Sequence, residues 1–122
     1  MTTEELKQRT KSFAVRVTRL VDALPNTVKG RAIANQIIRS ATSVAANYRA
    51  ACCARSRAEF IAKIGVVKEE ADETAFWLEL IVDTDVCGQS QTEPLLNEAG
   101  ELVAIMAASR KSAIGNRQSA IR

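Results

Sequence analysis

Residues 56–85 read SRAEFIAKIGVVKEEADETAFWLELIVDTD. Phe60, Ile64, Val67, Ala71, Leu78 and Val82 recur at helical spacing, so this stretch is expected to be one long helix with a core-facing stripe. Ser56 followed by Glu59 has the spacing of a capping box and marks the start. A second apolar set, Ala62, Val66, Phe76, Trp77 and Leu80, is rotated roughly 100 to 160° away, onto the side a monomer would turn to water. A surface helix ordinarily buries one stripe. Val66, Phe76, Trp77 and Leu80 are therefore candidate subunit-interface residues, with Phe and Trp as favoured anchors. The simpler alternative is a single wide core stripe in which Trp77 covers the bundle edge.

Working outward, the preceding segment from about Val28 to Cys53 is also helical in period, with Thr27 as N-cap and Pro25 just outside it. Ile33, Ile37, Ala41, Val44 and Tyr48 form its core face. Beside them runs a polar ridge, Gln36, Ser40, Ser43 and Asn47. It reads either as a hydrogen-bond ladder that sets helix register or as small polar residues satisfied on their own backbone. A first helix, roughly Thr3 to Ala23, opens with a Thr2–Glu5 capping box and carries Leu6, Phe13, Val17, Leu20 and Leu24 on one face. A fourth follows Ser90 or Thr92, with Pro94 in its first turn. It carries Leu95, Leu102 and Met106 inward and is expected to end before a polar tail over residues 115–122. Gly65 and Gly100, inside helices three and four, are expected to mark close helix–helix approach.

Four long helices with short links predict an all-α fold, an antiparallel up-down-up-down four-helix bundle over residues 1–114. Composition agrees: 122 residues, 4% aromatic, five glycines and two prolines leave little room for a barrel or sandwich. No apolar run approaches the ~20 residues of a membrane span, so no membrane association is expected. The first residues lack a basic leader and an apolar core, which points to a cytoplasmic protein. With no histidine, the commonest general base and metal ligand is missing. Cys52, Cys53 and Cys87 form no C-x-x-C pair, and neither a phosphate loop nor a nucleophile elbow occurs. Glu69, Glu70, Asp72 and Glu73 lack the Glu-x-x-His partners of carboxylate dimetal bundles. The expectation is no enzyme, no cofactor and no metal.

Charge is polarised along the chain. Residues 1–57 carry a net +8, residues 58–109 a net −9 and residues 110–122 a net +4, within a total of only +3. Lys29, Arg31, Arg39, Arg49, Arg55 and Arg57 are candidate nucleic-acid-binding residues, directed at the phosphate backbone because few aromatics are available to read bases. Equally, basic helices one and two can lie against acidic helices three and four.

The stretch Gln36 to Cys52, with Arg39, Ser40, Ser43 and Asn47 spaced R-S-x-x-S-x-x-x-N, is followed by Arg55-Ser56-Arg57-Ala58-Glu59-Phe60. Together they resemble the signature of the four-helix-bundle proteins of bacterial 23S rRNA intervening sequences. The Leu24-Pro25 link, Glu69-Glu70-Ala71-Asp72-Glu73 and Trp77-Leu78-Glu79-Leu80 are similar to the same family, over about residues 5–110. The resemblance implies a cytosolic bundle that assembles into a ring, typically a homopentamer. It also implies, through the branch that accompanies diversity-generating retroelements, binding to nucleic acid and a protein partner. Ala50-Ala51 stands where many relatives have Glu-Gly, and Ala41 and Ala45 stand where some have Gly, which suggests a stand-alone branch. The resulting expectation is a non-enzymatic, pentameric adaptor for RNA or DNA; the alternative is a protein-interaction scaffold without a nucleic-acid role.

Overall fold

A computed structural model describes the backbone of residues 1–121 and the side chains through residue 115. Within that range the chain is all-α, with no strands, in the order α1 (Thr3–Val21), α2 (Val28–Cys52), α3 (Arg57–Asp83) and α4 (Gln89–Ile121). No helix among the described residues is long and apolar enough to cross a membrane.

Each of the first three helices starts where its side chains can satisfy backbone N–H groups that have no partner within the helix. Thr2 accepts from the Glu5 N–H at 3.1 Å while Glu5 reaches back to the Thr2 N–H, completing the expected box. Thr27 caps α2 through the Gly30 N–H. Ser56 caps α3 through the Glu59 N–H, but Glu59 accepts from Arg55, one residue earlier than the box expected. The α3–α4 link turns through Asp85 at φ 55°, a left-handed conformation that a short polar side chain tolerates. α4 begins at Gln89, so Pro94 falls in its second turn. There the missing N–H lies beyond the unpaired first turn in which it was expected. The helix also continues past residue 114, where the sequence pattern ends it. The side chains of residues 116–122, most of the expected polar tail, lie outside the described residues.

All four helices feed one core. Phe13 and Val17 from α1, Ile37, Ala41 and Val44 from α2, Ile64, Val67, Ala71, Leu78 and Ile81 from α3, and Ala99, Leu102 and Met106 from α4 are fully buried. Each larger aliphatic or aromatic side chain so buried contributes about 1.5–3 kcal/mol. α2 presents the five core residues its spacing predicted. On α3 the stripe is shifted slightly: Ile61 and Ile81 are buried, whereas Phe60 and Val82 are half-buried. Helix packs on helix around the set α1–α2, α2–α3, α3–α4 and α1–α4.

The glycines differ from expectation. A Cβ at Gly100 would meet nothing within 4 Å, and one at Gly65 would touch only the Arg110 side chain. Neither marks a close helix approach. Gly30 does, because a Cβ there would overlap the Pro25 carbonyl oxygen. The first turn of α2 thus grips the α1–α2 link at the one position where only hydrogen fits.

Candidate nucleic-acid interface

The six candidate cations do not converge. Lys29 and Arg31 sit in the first turn of α2, and Arg31 bonds Asn26 at 2.9 Å. Arg49 is in the last turn of the same helix, so twenty residues of rise place it ~30 Å from Lys29. Arg55 and Arg57 follow it across the α2–α3 link.

Arg39, midway along α2, is engaged within the bundle. Its guanidinium bonds Glu70 at 3.1 Å and also Glu73, both on α3. Glu73 in turn accepts from the Trp77 indole N–H at 3.2 Å. That bond and the arginine hold the Glu73 carboxyl below the usual carboxylate range, against a partial desolvation that would raise it. Arg9 behaves similarly on α1. Its Nε and Nη2 bond the two Glu98 carboxylate oxygens at 2.8 and 2.6 Å, with Glu101 at 3.4 Å. Basic and acidic blocks of the chain therefore do pair across helices.

The remaining cations gather differently. Among the described residues, no carboxylate lies within 4.0 Å of the side-chain cation of Arg49, Arg55, Arg57, Lys68, Arg110 or Lys111, nor of Lys11, Arg16, Arg19, Lys29, Arg31 or Lys63. Lys68, Arg110 and Lys111 together line a shallow groove between α3 and α4 with Ala107 and Ile114. Thr3, Cys52, Ala54, Phe60 and Ser109 share a second cavity of about 440 Å³. The start of α1, the end of α2, the start of α3 and the C-terminal half of α4 thus meet at one end of the bundle. Sequence spacing could not group Lys68 with Arg110 and Lys111, since over forty residues separate them and Lys68 belongs to the acidic block. Within the same cavity, burial pushes the Tyr48 phenol up to about 12, helped by the neighbouring Cys52.

The polar ridge on α2 divides. Ser40 is fully buried and accepts from the Thr74 hydroxyl of α3 at 2.8 Å, a bond between helices. Asn47 donates to the Ser43 carbonyl and hydroxyl within α2, and Gln36 is exposed. The second stripe on α3 also divides. Trp77 and Leu80 are half-buried and pack against the edge of the core. Val66 and Phe76 remain exposed, at 37% and 52%. The Phe76 and Trp77 rings meet edge to face, 5.0 Å between centroids.

A four-helix bundle with a capped α2–α3 link and the R-S-x-x-S-x-x-x-N face is the class these features define. The family of 23S rRNA-intervening sequence proteins matches residues 3–108, and the chain belongs to that family. It is similar to the crystal structure of a protein of unknown function from the S23 ribosomal protein family of Bacteroides thetaiotaomicron. The two share 37% sequence identity and a TM-score of 0.83, over 91% of this chain and 99% of that one. No curated protein matches the chain.

Proposed function

We propose that this chain is a non-enzymatic, cytoplasmic subunit, an antiparallel up-down-up-down bundle that assembles into a homo-oligomeric ring, a pentamer, and serves as an adaptor for RNA or DNA. The observation that supports this reading is the sorting of cations. Arg9 and Arg39 are neutralised by glutamates of facing helices, whereas Arg49, Arg55, Arg57, Arg110 and Lys111, like Lys11, Arg16, Arg19, Lys29, Arg31 and Lys63, have no such partner among the described side chains. Arg49, Arg55, Arg57, Arg110 and Lys111 belong to one end of the bundle, and a ring repeats that end once per subunit. Weak phosphate contacts repeated in this way add up through effective concentration. The reading is backbone-directed, so one ligand sequence is favoured little over another. Lys29 and Arg31, at the far end, are assigned a minor part.

Anisotropy of a labelled RNA and of a labelled DNA duplex tests this. Affinity is expected to fall steeply with salt, log K dropping by about 0.7 to 0.9 per neutralised phosphate for each tenfold rise in concentration. Arg55→Glu with Arg57→Glu should weaken binding roughly tenfold or more, while Lys29→Glu with Arg31→Glu should change it little. Retention that ignores both salt and the Arg55 and Arg57 reversals would leave a protein-interaction scaffold as the better reading.

A further inference from the structure

On α3, the residues pointing away from the core at spacings of three and four are Glu69, Asp72, Phe76, Glu79 and Asp83, all exposed. Four carboxylates thus flank one half-exposed aromatic ring whose one aromatic partner among the described residues is Trp77, with Lys68 and Arg110 on the α4 side of Glu69 and Asp72. On the α1–α2 side lies a groove of about 480 Å³, floored by Ala14, Thr42, Ala45 and Ala46 and rimmed by Lys7, Lys11 and Arg49, with Glu4 beside Lys7 at 3.5 Å, so that the rim keeps a net positive charge. Val15, 39% exposed, follows Lys11 by four residues and extends the same rim of α1, and half-buried Ile38 precedes Thr42 by four on α2. One surface is acidic around an aromatic knob. The other is basic around an alanine-floored trough with aliphatic residues at its end.

Their heights along the bundle also match. With α2 and α3 antiparallel, the Ser40–Thr74 bond places Thr42 level with Asp72, Ala45 with Glu69, and Ile38 with Phe76. The groove brings Lys11 and Ala14 of α1 beside Thr42 and Ala45 of α2. In a ring whose bundles stand along the symmetry axis, neighbouring copies meet at equal height, through two different surfaces. Phe76 of one copy then reaches Val15 and Ile38 of the next, and Glu69 and Asp72 reach Lys7 and Lys11.

We propose that a second copy of this chain occupies the α1–α2 groove, seating its α3 outer stripe there with Phe76 as the apolar anchor and Glu69 and Asp72 opposite Lys7 and Lys11. The assignment rests on the self-association proposed above and names the two faces that make it. It leaves Arg55, Arg57 and Lys111 outside the contact, whereas Arg49 rims the groove and Arg110 lines the cavity that holds Glu69 and Asp72, so those two cations border both surfaces. Because the two faces differ, each copy presents one of each, and the contact continues until the ring closes.

Light scattering on the purified, nuclease-treated protein tests it. The wild-type chain should show several chains per particle. Lys7→Glu with Lys11→Glu should reduce the particle to one chain, as should Glu69→Lys with Asp72→Lys, and as should Phe76→Asp. Mixing the two charge-reversed proteins should restore larger particles, because the acidic groove of one receives the basic stripe of the other. That recovery also demonstrates that both are folded. An oligomer unmoved by either reversal, or reversed proteins that remain single chains when mixed, would overturn the assignment of faces alone. A monomeric wild-type protein would overturn the self-association reading with it.

Discussion

The α1–α4 and α2–α3 seams each hold one arginine between two glutamates, yet they are built differently. On α1, Arg9 is largely covered, its side chain 25% exposed, and it meets a Glu98 only 13% exposed in a two-point bond. On α2, the Arg39 side chain is half exposed and divides its bonds between Glu70 and Glu73. Beside it, however, lies the fully buried Ser40–Thr74 bond. The first seam puts its polar specificity into a charged pair. The second puts it into two hydroxyls in the core, with the charged pair outside. Charge bonds strengthen as they leave water and become costly when one partner is removed, whereas exposed pairs are screened and interchangeable.

The largest difference should come from Glu98→Ala. It leaves the mostly covered Arg9 guanidinium with Glu101 alone, and urea unfolding should show a loss of about 2 kcal/mol. Ser40→Ala comes next, at about 1 kcal/mol, because the Thr74 hydroxyl can give its one proton to the Glu70 carbonyl, 2.8 Å away, and is not left unsatisfied. A larger loss for Ser40→Ala than for Glu98→Ala would invert the comparison.

The smallest effect belongs to Arg39→Gln, expected to cost less than about 1 kcal/mol and to cost less still at high salt. Its pH signature is sharper than its size. Folded Glu73 releases its proton more readily than the unfolded side chain does. The stabilisation it provides is therefore complete above the unfolded carboxylate pKa and disappears as the pH falls through the lower folded one. Glu73→Gln should flatten that acid limb of the stability profile. Trp77, the single tryptophan, should report the change by fluorescence, since its indole bonds the same carboxylate.

Much of the fold was legible because a helix repeats every 3.6 residues and a cap is a local bond. The core face of α2, the Thr2 and Thr27 caps and the approximate helix spans needed no partner to be read. Trp77 and Leu80 were less legible for a related reason. Angular position on an isolated helix cannot say how far a neighbouring helix wraps around it, and here the packing half-buries both. Gly30 carried no local signal either, since its need for hydrogen arises from the Pro25 carbonyl across a turn.

The sequence by itself determined four helices, most of their boundaries, the family and a polarised charge. It did so because periodicity, capping and composition act within about one helical turn or sum along the chain. Only the tertiary structure decided which charges are used up. It consumed Arg9 and Arg39 against distant glutamates and drew Lys68 beside Arg110 and Lys111. Whether a cation is paired or open depends on which helices face each other and at what height. Those are properties of packing, and no spacing along one helix contains them.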